Sequence, residues 1–158
     1  MPELKLDRTD FEILEMLQVD ARISNKELAE ANKISPSTCW ERVKRLKNAG
    51  VIEGYHANVN PKELGIEVQA MISIRLRQHA SIDFDALSDE ISKTKEVVNF
   101  YLLSGGTDLL VHVAVRDVNH LRSVVVDKFT ARYEIAHLET ALIFEYVKGA
   151  VLPNYHAG

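Results

Sequence analysis

The 158-residue sequence predicts an α+β chain in two parts, a small all-helical unit followed by a β-α-β-β-α-β unit. Three observations predict it. Hydrophobic spacing is helical up to Gly50, it changes to a period of two from Glu67, and the stretch between carries the turn residues Pro61 and Gly65. A hydrophobic content of 46% suffices for a substantial core in one domain or two small ones. The boundaries read as a first domain over 1–60, a linker over 61–66 and a second domain over 67–158.

The first helix lies within 6–19, where Phe11, Leu14 and Leu17 recur at helical spacing beside Ile13, with Asp7 or Thr9 available as the N-cap. A second, short helix opens with Ser24 as cap and Glu27 three residues on, a capping box in which each side chain satisfies an otherwise unpaired backbone donor. Leu28 and Ala31 share its inner face, and it ends near Asn32, which tolerates a left-handed exit. After a tight turn through Lys33 and Ile34, Ser35 caps a third helix with Pro36 at its first position and Gly50 just past its end.

On that third helix Cys39, Val43 and Leu46 form one apolar stripe, and Ser37, Thr38, Glu41, Lys44, Arg45 and Asn48 lie opposite. Arg42, Lys44, Arg45 and Lys47 against Glu41 give this helix a net charge of +3 within a chain of net −4. Affinity for phosphate therefore resides in one helix, and bulk composition conceals it. Two capped helices joined by a short turn, with a third helix before them, are the arrangement that lays a helix into the DNA major groove, a helix-turn-helix. The following VIEGYHANVN is β-prone and reads as a short wing.

In the second domain Val68, Ala70, Ile72, Ile74 and Leu76 alternate with Gln69, Met71, Ser73, Arg75 and Arg77, a strand with one apolar face. Phe84, Leu87 and Ile91 follow as a helix opened by Ser81 or Asp83, then a strand over 97–103, a tight turn at Gly105 to Asp108, and a strand with Leu109, Val111, Val113 and Val115 on one side. Asp117 caps a second helix carrying Leu121, Val124, Val125 and Lys128, whose aliphatic stem can snorkel, and the last strand covers 138–147. The order is that of a ferredoxin-like fold with an antiparallel sheet. Leu142, Phe144 and Tyr146 point to one side of the last strand, Ala141, Ile143 and Val147 to the other. Two helices cover one side of a sheet, so a second subunit is expected on the other.

Several function classes are disfavoured. No apolar run approaches the ~20 residues of a membrane span, and the first ten residues are too charged for a secretory signal. A lone cysteine allows no intrachain disulfide and suits a reducing cytoplasm; on the packing stripe, Cys39 reads as a small buried hydrophobe. His56, His79, His112, His120, His137 and His156 make no H-x-x-x-H or Cys-His pairing, so no metal or other cofactor is expected. Walker, nucleophile-elbow and dinucleotide motifs are absent, and no enzyme is expected. An RNA reader of the same β-α-β-β-α-β order needs aromatics on its central strands, and LLVHVAVRD has none.

The segments LDRTDFEILEMLQVDAR, ISPSTCWERVKRLKNAGVIEGYHANVNPKELG and SGGTDLLVHVAVRD together resemble the Lrp/AsnC family of leucine- and asparagine-responsive transcriptional regulators, the feast/famine regulatory proteins. The resemblance covers nearly the whole chain, and ISPSTCWERVKRL is closer to the leucine-responsive branch than to a generic winged helix. It implies binding of double-stranded DNA through the first domain, sensing of leucine or another small amino acid by the second, and a homodimer that assembles into a tetramer or octamer in the cytoplasm, associated with the nucleoid. Haem-precursor decarboxylases share the architecture and supply the enzyme alternative; an amino-acid sensor without DNA binding is the other.

Carried onto this sequence, the recognition helix spans 35–46. The expected DNA-binding residues are Ser35, Ser37, Thr38, Arg42, Lys44, Arg45 and Asn48, with Ser37 and Thr38 on base edges or phosphate, Arg45 on guanine and Lys44 on phosphate. Arg42 flanks the apolar stripe, where a structural ion pair, with Glu41's neighbours or with the helix opened by Ser24, and a DNA contact both fit. Trp40 is expected to pack at the flank. The family's ligand-responsive turn matches Gly105, Gly106, Thr107 and Asp108: two glycines let backbone N–H groups converge on a carboxylate, and Asp108 can hold an ammonium. The same four residues also suit an ordinary hairpin turn.

Overall fold

The computed structural model describes residues 4–77, 84–147, 149 and 151–156. The proposed helix caps Ser81 and Asp83, and His79, lie outside the described residues. The chain divides into two compact units, the first formed by Met1–Asn58 with Val147–Gly158 and the second by Val59–Tyr146. The 61–66 linker thus belongs to the second unit, and the C-terminal tail, expected in the second domain, belongs to the first.

In the first unit the capping chemistry sets the helix limits. Helix α1, Arg8–Val19, starts at Asp7, whose carboxylate accepts from the Asp10 N–H while the Asp10 carboxylate accepts from the Asp7 N–H. Helix α2, Asn25–Ala31, opens on the Ser24/Glu27 capping box, and the Ser24 hydroxyl and then the Ser24 N–H, both donating to the Glu27 carboxylate, hold it below its usual range. Helix α3, Pro36–Asn48, starts at Ser35, which accepts from the Thr38 N–H, and Gly50 follows it at φ 73°. Ile13, Leu28, Ala29, Cys39 and Leu46 are buried where the three helices meet. Ala29, not the expected Ala31, shares the inner face with Leu28, and Ala31 is exposed.

The left-handed residue of the α2–α3 turn is Lys33, at φ 55°, and Asn32 before it has φ −89°. Reversing the chain within three residues demands one positive φ, and here it falls on a residue with a Cβ, at some cost. No strand forms over 51–60, against the expected wing, because strand-prone residues pair only where a second strand lies beside them. From the tail, the Leu152 N–H donates to Gln18 Oε1 at 2.9 Å, and the His156 ring stacks on Phe11 with centroids 6.0 Å apart.

The second unit has strands β1 (Val68–Leu76), β2 (Val97–Leu102), β3 (Leu109–Val115) and β4 (Ile135–Leu142) in one antiparallel sheet of order β2-β3-β1-β4, with helices α4 (Phe84–Ser92) and α5 (Val118–Val124) between β1 and β2 and between β3 and β4. A 3-10 turn over Pro61–Leu64 precedes β1. Ala70, Ile72, Ile74 and Leu76 with Leu109, Val111, Val113 and Val115 bury the predicted faces of the two central strands, and Leu87, Ile91, Leu121 and Val124 cover them.

Two elements depart from expectation. Strand β4 starts three residues earlier than the expected 138 and ends at Leu142, because Leu142 pairs with Ala70 and one further bond, from the Ile143 N–H to Gln69 O at 2.9 Å, exhausts the partner strand. Phe144 (97% exposed), Tyr146 and Val147 lie beyond the strand and are exposed. The other departure follows α5. The helix continues over Val125–Thr130 with wider π turns, which insert one residue into the register. Phe129 consequently occupies the core at 1% exposure, and Lys128, expected to lay its stem there, is exposed.

The face of the sheet opposite the core is mixed in polarity. Register places Gln69, Met71, Ser73 and Arg75 beside His112, Leu110 and the β4 residues His137, Glu139 and Ala141. His112 Nε2 donates to Gln69 Oε1 at 2.9 Å, and burial lowers the proton affinity of this imidazole.

Candidate nucleic-acid interface and effector turn

Helix α3 supplies the first candidate site. Burying Cys39 and Leu46 fixes its rotation about its axis, so the opposite arc faces outward. Ser35, Ser37, Thr38, Lys44, Arg45 and Asn48 are all exposed. At the helix start the hydroxyls are coupled, with Ser35 Oγ 2.9 Å from Ser37 Oγ and 2.7 Å from Thr38 Oγ1. Ser35 is committed to capping; Ser37 and Thr38 keep hydrogen-bonding capacity toward a partner. Asn25 Nδ2 donates to Pro36 O at 2.8 Å and ties α2 to the start of α3.

The four basic side chains of α3 divide by environment. Arg42 turns inward: its Nη1 lies 2.9 and 2.8 Å from the Asp7 carboxylate oxygens and 2.8 Å from Asp10 Oδ1. These contacts hold the guanidinium even more firmly charged, with Asp7 contributing most. The Asp7 carboxyl lies below its ordinary range, first through the Asp10 N–H and then through Arg42. Of the two kinds of role open to Arg42 in the sequence, a structural ion pair is the one formed, but with Asp7 and Asp10 at the start of α1 rather than with Glu41's neighbours or α2. Arg45 reaches the same cluster, Nη2 lying 2.5 Å from Asp10 Oδ2, yet its side chain is 44% exposed while Asp10 is 0% exposed. Lys44 and Lys47 make no ion pair among the described residues.

Lys44 Nζ instead sits 4.7 Å above the Trp40 ring, a cation–π contact. Trp40 is 56% exposed, so it does not pack into the flank as expected; it stands on the outward side of α3. Sequence reasoning missed it because an indole scores as core by composition. The helical angle was the available signal: Trp40 lies 100° from Cys39 and 40° from Lys44. Burial raises the Cys39 thiol's pKa, which leaves it protonated and unreactive.

The β2–β3 turn is the second candidate site. Gly105 has φ 131°, which glycine alone adopts freely, and both Gly105 and Gly106 border open space. Thr107 and Asp108 are half-buried. Asp108 joins three strands: its N–H donates to Ile74 O at 3.0 Å, its carbonyl accepts from the Leu103 N–H at 2.8 Å, and its Oδ2 accepts from the Leu76 N–H at 2.7 Å. Oδ1 of Asp108 is unengaged among the described residues. The hairpin role and an open carboxylate oxygen thus coexist in one residue.

No group of three or more His, Cys, Asp or Glu residues that could hold a metal occurs among the described residues. Nor is any of their helices long and apolar enough to cross a membrane.

Comparison with known proteins assigns a family to each part of the chain. Residues 6–53 match the winged helix-turn-helix DNA-binding family, and residues 69–151 match the Lrp/AsnC ligand binding domain. The HTH-type transcriptional regulator AldR of Mycobacterium tuberculosis is 40% identical over 92% of this chain and 82% of its own length. The leucine-responsive regulatory protein of Escherichia coli K12 is 34% identical over 93% of this chain and 90% of its own. Among solved structures, the L-Met complex of a transcriptional regulator from Neisseria meningitidis superposes with a TM-score of 0.87 at 30% identity, covering 96% of this chain and 99% of that one. Architecture, helix chemistry and relatives converge: the chain belongs to the Lrp/AsnC family and is a sequence-specific DNA-binding transcriptional regulator, not an enzyme.

Proposed function

We propose that α3 is the recognition helix and that Ser37, Thr38, Lys44, Arg45 and Asn48 form its DNA-contacting surface, with Ser35 acting as its cap. The observation that carries this reading is the outward exposure of all five on a helix whose rotation the core fixes. Lys44 neutralises phosphate, and Arg45 reads a guanine edge in the major groove. Arg42 acts from behind, holding α3 against α1.

The second unit takes a small α-amino acid at the turn of Gly105, Gly106, Thr107 and Asp108, with Asp108 Oδ1 receiving the ammonium and turn N–H groups the carboxylate. The methionine bound by the Neisseria meningitidis regulator supports this class of ligand. A homodimer that assembles further, to a tetramer or octamer, presents paired recognition helices to half-sites about one helical turn apart. The exposed Val98, Leu102 and Phe144 of the second unit supply apolar surface for such assembly. Effector binding biases the assembly and hence the helix spacing, a coupling through a two-state interface. The chain acts in the cytoplasm, on the nucleoid.

Titration of the protein onto the DNA upstream of its own gene, alone and with each amino acid in turn, tests both halves. One amino acid is expected to shift the binding curve or its cooperativity. Equal affinity for that DNA and for a scrambled duplex would overturn the DNA half; indifference to every amino acid would overturn the effector half.

A further inference from the structure

Asp10 is a fully buried carboxylate whose part so far is to anchor Arg42 and hold α3 against α1. Its position is stabilised locally, as the third residue of α1, by the partial positive charge of the helix start and the Asp7 N–H at 3.1 Å. Arg42, 2.8 Å from Oδ1, already supplies one compensating charge. Arg45 is a second, and it is anchored differently. Only Nη2 is engaged, with Asp10 Oδ2; the other N–H donors of the guanidinium have no partner among the described residues, and the side chain emerges at the surface. The guanidinium therefore spans from a rigid buried anchor to the outward arc of α3.

We propose that Asp10 is a positioning residue for DNA recognition: it holds the Arg45 guanidinium so that its unengaged N–H donors face a base edge in the major groove. This rests on the DNA-binding role given to α3 above. The physical basis is preorganisation. A free arginine side chain loses rotamer entropy when it docks bidentately, and a partner that fixes the planar fork beforehand removes part of that loss from the binding step. Asp10 suits the task because it is on another helix, 35 residues away, and its own carboxylate is fixed by the capping box and Arg42.

The test compares Asp10→Asn with the unaltered chain on two probes, a duplex selected by the unaltered protein from a random-sequence pool and a scrambled duplex of equal length. Removing a negative charge near DNA raises affinity for any sequence, whereas losing the positioning lowers it only for the selected one. Binding to the selected duplex is expected to fall about tenfold, while the scrambled duplex is bound as well as before or better. In an Arg45→Ala background the same change is expected to leave the preference untouched. Asp7→Asn serves as the folding control, since it weakens the cap and Arg42's anchor but keeps the Asp10–Arg45 contact, and should retain the preference. Should Asp10→Asn unfold the first unit, the comparison is read on Asp10→Glu, which keeps the charge and moves the anchor by one methylene.

A rise on both probes would mean that Asp10 merely withholds Arg45 or repels DNA, and an equal fall on both would mean a folding role alone; either overturns the proposal. If the unaltered protein selects no duplex over the scrambled one, the DNA reading of α3 falls first.

Discussion

Two basic residues of α3, two positions apart, carry opposite predictions. Replacing Arg42 by Met removes three short charge-assisted hydrogen bonds, one of them to the fully buried Asp10. Stranding a buried charge entirely costs about 3–5 kcal/mol. Asp10 keeps Arg45 and a backbone N–H, and Asp7 is half-exposed and easily rehydrated, so the expected loss is nearer 2 kcal/mol. For a domain of this size that lowers the melting temperature by about 10 °C. Replacing Lys44 by Met forfeits only the contact over Trp40, about 0.5–1 kcal/mol. Its effect appears instead in DNA binding: each lost phosphate contact takes about 0.9 from the slope of log affinity against log salt, so the ratio of affinities at 50 and 200 mM salt falls about 3.5-fold. The chain has one tryptophan, Trp40, in the first unit, so its emission during urea or thermal unfolding reports that unit alone. Arg42→Met should melt early yet keep the salt slope when measured cold. If it instead melts normally and loses slope, the guanidinium faces phosphate and the inward assignment of Arg42 is wrong.

Phe129→Ala should cost about 3–5 kcal/mol by circular dichroism in urea, and Lys128→Ala less than ~0.5, because the π turns put Phe129 in the core; the reverse order would restore the α-helical register. Asp108→Asn keeps an acceptor for the Leu76 N–H but withdraws the charge offered to an ammonium, so calorimetry should show loss of amino-acid binding with an unchanged melting temperature; retained binding would remove Asp108 from the effector site. Burial lowers the folded-state pKa of His112 below the unfolded value of ~6.5, so its contribution is present above that pH and is lost as pH falls through the folded value. Denaturation of the second unit measured from pH 7.5 down to 5 should therefore show declining stability, and His112→Gln should flatten that decline; an identical slope in both would mean that another group titrates.

Much of the fold was legible because short-range chemistry determines it. The capping residues Asp7, Ser24 and Ser35 act within one helical turn, and the alternation along β1 and β3 states which side of each strand is buried. Where the chain departed from expectation, the deciding partner was distant. The end of β4 is dictated by where β1 begins, about 70 residues earlier, and strand propensity in FEYV cannot register that. The π turns after α5 bring Phe129 into a core built by other elements, and local spacing favours the α-helical Lys128. Residues 51–60 carry strand-prone side chains, yet propensity without a paired neighbour forms no ladder.

The interface shows the same division at the level of single charges. Helical angle alone placed Lys44 and Arg45 outward, and both are exposed. What it could not state is that their charges are held differently, Lys44 by an indole on its own helix and Arg45 by a carboxylate of another. A contact at i, i+4 can be read from sequence, as between Trp40 and Lys44; the Arg45 guanidinium instead goes to Asp10 on another helix, where lower solvent screening makes each unit of charge count for more. A recognition helix is therefore incompletely described by its own sequence. Under the DNA-binding role proposed for α3, its phosphate contacts would follow from residue type and angle, whereas the orientation of Arg45 would depend on the Asp10 carboxylate that α1 buries beneath it.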